Sequence, residues 1–133
     1  MSLRQTASIL CLLLSAAILP AQTAPQDPKQ AKALFDKAPS ESEQVEQVRD
    51  LCNAADLDIK NKAYRDACHS MRDALLAMDR RQLQKARDAF ANDDWTKTIT
   101  FAKYVSSFDS DLRRQAADLT EKAKAAQQKG ATP

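Results

Sequence analysis

Residues 61–94 read NKAYRDACHSMRDALLAMDRRQLQKARDAFANDD. Apolar side chains recur in it at three- and four-residue spacing. Tyr64, Ala67, Cys68, Met71, Ala74, Leu75 and Met78 form one stripe; Leu83, Ala86, Ala89 and Phe90 form a second. That period belongs to one face of an α-helix, not to a strand. Only Asp79-Arg80-Arg81 separates the stripes, with no glycine or proline. Two readings follow: a tight turn with Asp79 capping a new helix, or one helix running on to about Ala91. Asn92-Asp93-Asp94 is a clear break, because short polar side chains compete for helical backbone groups.

The same period extends to both sides. Upstream, Asp27 can cap a short helix, Pro28 suits its first turn, and Ala31, Leu34 and Phe35 share a face up to Ala38–Pro39. Ser40-x-x-Glu43 reads as a capping box, followed by Val45, Val48, Leu51, Cys52 and Ala55. The stretch Asp56-Leu57-Asp58-Ile59-Lys60-Asn61 weakens that helix. Downstream, Trp95, Ile99, Ala102 and Val105 mark a fifth helix, with Phe101 and Tyr104 beside them. Phe108-Asp109-Ser110-Asp111 ends it and caps a sixth, which carries Leu112, Ala116, Leu119, Ala123 and Ala126 and frays from about Gln127.

Composition agrees with an all-α chain. Its 133 residues include 24 Ala, 14 Leu, 11 Lys, 9 Arg and 4 Glu, but one Gly, at position 130. The length suits one small domain. Aromatic residues make up 5%, so Ala, Leu, Val and Met must build the core. The net charge of +2 excludes a strongly basic nucleic-acid binder and a strongly acidic tail. With one histidine and no glycine-rich loop, most metal- and nucleotide-dependent chemistries are excluded too.

The amino-terminal segment reads as an export signal. Met1 to Arg4 give a positive start, and Ala7 to Leu19 are thirteen mostly apolar residues. A bilayer span needs about 20, whereas a signal-peptide core is this short. Pro20 then breaks the helix, and cleavage is expected after Ala21, with Ala24 the second choice. Cys11 lacks the small residues that precede a lipidated cysteine. The expected organisation is a signal peptide over 1–21, a linker with a short helix over 22–39, a helical domain over 40–128 and a disordered tail over 129–133. The exported chain is expected in the periplasm or outside the cell, with no stable membrane insertion.

Two segments repeat one pattern. Asn61-Lys62-Ala63-Tyr64-Arg65-Asp66-Ala67 and Asn92-Asp93-Asp94-Trp95-Thr96-Lys97-Thr98 each place an aromatic after a polar turn and a small residue three positions later. Ala55 and Ala86 fall nine residues before Tyr64 and Trp95, and Ala74 and Val105 match further on. This resembles a degenerate tetratricopeptide repeat of about two units, covering roughly Val48 to Asp111. The units are 31 residues apart rather than the usual 34, and the usual glycine and proline positions hold other residues. The resemblance implies antiparallel helical hairpins in a short solenoid or small bundle. It makes Ala55, Tyr64, Ala67, Ala86, Trp95 and Thr98 the structural positions and the last helix a cap. It also implies a concave face holding Arg80, Leu83, Arg87 and Phe90 from one unit and Arg49 from the other. Such a mixed basic and apolar groove suits an acidic protein or peptide partner.

After leader removal two cysteines remain. The turn between their helices centres near Lys60, and Cys52 and Cys68 are equidistant from it, so an antiparallel pair brings them face to face. In an oxidising compartment a disulfide is expected. Other constellations are weaker. Cys68-His69 matches the end of a haem-attachment motif, Cys-x-x-Cys-His, but Arg65 stands at its first cysteine. Cys52, Cys68 and His69 could hold a metal only without the disulfide. The 14 Asp mostly occupy caps and turns, and Ser106, Ser107 and Ser110 lie in no nucleophile elbow. The expectation is a non-catalytic interaction or scaffold module without cofactor or metal, able to pair as a homodimer and with no nucleic-acid partner. The alternative is a small bundle binding haem or a metal through Cys68-His69.

Overall fold

The computed structural model describes residues 25–130 as five α-helices and one 3-10 turn, with no strand among the described residues. The helices are α1 (Pro28–Lys37), α2 (Gln44–Leu57), α3 (Lys62–Ala91), α4 (Trp95–Lys103) and α5 (Ser110–Gly130), and the 3-10 turn spans Ala38–Ser40. The expected leader over 1–21 lies outside the described residues. None of the described helices is long and apolar enough to cross a membrane.

The central element is α3, a single helix of 30 residues. It settles the choice left open at Asp79-Arg80-Arg81 in favour of continuity. Asp79 caps nothing: it lies mid-helix at 0% exposure. Two apolar clusters form along this helix. Toward its start, Cys68, Tyr64, Ala67 and Met71 pack with Leu51, Cys52 and Ala55 of α2, with Ala38, and with Phe35 of α1. Toward its end, Leu83 and Ala86 pack with Phe101 and Ala102 of α4, Val105, and Leu112, Ala116 and Leu119 of α5. Among the described residues, nine of the fifteen buried apolar ones are alanine. Helices meeting through alanine approach closely, yet each contact removes little apolar area from water.

The ends of the elements follow local chemistry. The Asp27 carboxylate accepts from the Gln30 amide at 3.0 Å and starts α1 as expected. The capping box does not form. Ser40 belongs to the 3-10 turn that prolongs α1, its hydroxyl donates back to the Lys37 carbonyl, and α2 starts four residues later at Gln44. Pro39 suits the start of that turn, since its fixed φ fits and its missing N–H is not needed there. The break at 92–94 closes α3 with two bonds: the amides of Asp93 and Asp94 donate to the carbonyls of Phe90 and Ala89. Asp93 stands there in the left-handed region at φ 57°.

Glycine reaches that conformation without the Cβ penalty, which is about 1 kcal/mol for other residues. Asp93→Gly is therefore expected to stabilise the protein by about 0.5 kcal/mol, after the extra freedom of the unfolded glycine is subtracted. Urea unfolding should show a higher midpoint at an unchanged slope. A lower midpoint would contradict this account of the turn.

Two further boundaries differ from the reading of the sequence. The fifth helix was expected to reach Phe108, but α4 stops at Lys103. The amides of Tyr104 and Val105 bond three residues back, to Phe101 and Ala102, and tighten the chain out of the helix. Val105 is buried from the loop that follows, not from the helix. The Asp109 carboxylate then accepts from the amides of Asp111 and Leu112, both at 2.9 Å, and caps α5. That helix continues through Gly130, past the expected fraying point at Gln127 and two residues into the expected tail.

Candidate interaction site

The cysteine pair forms as its spacing requires. Cys52 and Cys68 are disulfide-bonded at 2.04 Å, with Cα atoms 4.7 Å apart. The bond ties α2 to the first half of α3 within the same apolar cluster. It also occupies the Cys68 sulfur that the haem or metal reading needed. The neighbouring His69 accepts through Nδ1 from Arg72 at 3.0 Å.

Of the structural positions implied by the repeat resemblance, five lie in or against the core, and Trp95 is half-buried beside Phe90. Ala55 and Ala86 are buried, and Ala67 packs against the cluster around Cys68. Tyr64 stacks on Phe35 with ring centroids 4.6 Å apart, and Trp95 meets Phe90 edge-on at 5.2 Å. Thr98 takes the small-residue place fully buried; its hydroxyl donates to the Asp94 carbonyl one turn back, so no polar group is left unpaired. The Asp94 carboxylate caps α4 through the Lys97 amide at 3.0 Å and pairs with the Lys97 ammonium at 2.7 Å. The side-chain bond from Lys97, with its amide second, holds the Asp94 carboxyl below its ordinary value.

The five residues assigned to a partner groove do not share one surface. Leu83 is 3% exposed and belongs to the core beneath α5. Arg87 donates across to the Gln115 side chain of α5. Phe90 is taken up by Trp95, and Arg49 pairs with Glu46 within α2. Of the five, only Arg80 is exposed with no side-chain hydrogen bond or ion pair among the described residues. For Leu83 and Arg87 the cover is α5, which packs against both α3 and α4.

A different concavity is open. Between α2 and the first half of α3 lies a crease of about 210 Å³, lined by Val48, Met71, Ala74, Leu75, Met78 and Arg81, with Gln44 at its edge. Met71 also lines an adjoining crease of about 220 Å³ with Ala38, Pro39, Gln47 and Leu51. The apolar stripe of the sequence includes Met71 and Met78. Both are only half-buried, and helical period alone does not separate a covered stripe from an open one.

A second feature missed from the sequence is polar. Asp79, buried in the middle of α3, accepts from the Ser106 amide at 2.9 Å and from the Ser106 hydroxyl. The same hydroxyl accepts from the Phe108 amide at 3.3 Å. The loop between α4 and α5 is thus moored to α3. No buried side-chain nitrogen or oxygen among the described residues lacks a partner. Compared with protein-family models, with curated proteins and with solved structures, the chain matches none.

Proposed function

We propose that this chain is an exported, non-catalytic protein-interaction module of tetratricopeptide-like helical hairpins, acting in the periplasm or outside the cell. The observation that carries the proposal is the open methionine-lined crease between α2 and α3. Methionine side chains are flexible and polarizable, so a surface built from them accommodates varied apolar side chains. The disulfide supports export, since such bonds persist in oxidising compartments. The short amino-terminal apolar run supports it as well.

The test is site-specific photo-crosslinking in cells that export the full chain. A photoreactive residue at Met71 or Met78 is expected to give a discrete crosslinked polypeptide, whereas one at Asp118 on the outer side of α5 is not. Equal labelling from all three positions, or none from Met71 and Met78, would overturn the assignment of the crease as the interaction site.

A further inference from the structure

A further concavity lies between α4 and α5. It encloses about 340 Å³, within the range of small-molecule sites. Ile99 and Ala102 of α4 and Ala117 of α5 give it an apolar lining. Ala102 is buried, Ile99 half-buried and Ala117 exposed, so the apolar strip runs from the core out to solvent. Thr120 also lines it, but its hydroxyl already donates to the Ala116 carbonyl at 2.9 Å.

The charges around this strip do not balance. From the α4 cap at Asp94 to the end of α5 the chain carries seven basic and five acidic side chains. Every one of those carboxylates is engaged. Asp94 pairs with Lys97, Asp111 with Arg114, Asp118 with Lys122 and Glu121 with Lys124, while Asp109 caps α5. Glu121 and Lys124 both line the concavity and neutralise one another there. Lys103 and Arg113 line it as well, and neither has a carboxylate partner among the described residues. Lys103 is the last residue of α4, and Arg113 stands near the start of α5. The Arg113 side chain donates to the Val105 carbonyl at 3.2 Å, which holds the guanidinium beside the connecting loop. A guanidinium carries five N–H donors, so others remain for a ligand. The uncompensated positive charge of this helix pair therefore gathers at one end of an apolar strip.

We propose that this concavity binds a small amphipathic carboxylate, a monoanion with an unbranched aliphatic tail. The head sits between Lys103 and Arg113, where a guanidinium and a carboxylate match in geometry. The tail lies over Ile99, Ala102 and Ala117 toward Thr120. Arg113 and Thr120 are about 10 Å apart along α5, a distance that an extended tail of about eight carbons spans at ordinary bond lengths. A peptide carboxyl terminus would share the head, but its amides would lie on a strip without free polar side chains, at a desolvation cost that an alkyl chain does not incur. The site is separate from the crease between α2 and α3 and does not depend on it.

Titrating the exported, disulfide-bonded protein with sodium octanoate, followed by amide chemical shifts, tests this. Saturating shifts are expected in α4 and the facing stretch of α5, with a dissociation constant of about 1 mM. Octylammonium, the same tail with a positive head, and acetate, the head without the tail, should give no saturating shift there. Lys103→Gln and Arg113→Gln should each weaken octanoate binding about threefold to tenfold, and raised salt should weaken it too. Lys103 makes no side-chain bond within the described chain, so its substitution leaves the fold intact and decides the matter even where Arg113→Gln loosens the loop. Octylammonium binding as tightly as octanoate, octanoate binding indifferent to Lys103→Gln, or shifts that never saturate would each overturn the anion site. Saturating shifts around Met71 and Met78 instead would move the ligand to the crease, which overturns this site and leaves the interaction module standing.

Discussion

Asp79→Ala is expected to lower the unfolding free energy by about 3 kcal/mol, close to the largest single-residue effect available in this small core. The carboxylate is fully buried, and it is the acceptor for both donors of Ser106. Removing it leaves the part-buried Ser106 amide and hydroxyl without their partner, at about 1 kcal/mol or more each, and leaves a gap inside the helix packing that the alanine side chain is too short to close. For a domain of this size the melting temperature should fall by roughly 12–24 °C. Asp79→Asn keeps one acceptor oxygen and should lose less than half as much. The location of the damage separates this mooring from general core loosening. Amide exchange should accelerate first in the loop between α4 and α5, where Ser106 and Phe108 lose their tether, and later in α2. A change within 0.5 kcal/mol for Asp79→Ala, or uniform exchange, would sink the argument.

Reduction of the disulfide, or the paired change Cys52→Ala with Cys68→Ala, is expected to cost about 3 kcal/mol. The loop it closes spans 16 residues of sequence separation, for which the chain-entropy model gives about that figure. The consequence exceeds what the number suggests in a larger protein. A buried core in which nine of fifteen apolar residues are alanine has little reserve, and marginal stabilities of this order are typical of whole domains. The reduced protein should melt at least 10 °C lower, and α1 should loosen with the first cluster, because Phe35 reaches that cluster through Tyr64. Thermal unfolding with and without reductant checks it. Coincident melting curves would show that packing between α2 and α3 suffices without the bond.

These two residue sets were not equally legible. The cysteine pairing could be read from spacing, since equidistance from a turn is a local property of two adjacent helices. The role of Asp79 could not. An aspartate between two apolar stripes looks the same whether it caps a new helix or accepts from a loop 27 residues away. The surroundings of the residues expected to face a partner were hidden for a similar reason. Leu83, Arg87 and Phe90 do share one region of α3, but the stripe does not say whether its cover is a partner or α5.

What the sequence by itself determined is local: the helical period, the break at Asn92-Asp93-Asp94, the cap at Asp27, the capping stretch Phe108-Asp109-Ser110-Asp111, and the reach of Cys52 to Cys68. Each depends on contacts within about one turn or across one short connection, where residue type and spacing decide the outcome. Only the tertiary structure decided that α3 continues through Asp79, that α5 closes over Leu83, and that the Met71–Met78 crease stays open. Those outcomes depend on which apolar face meets which. Burial is non-directional, so several partners could satisfy the same stripe, and only the packed arrangement of the helices selects one.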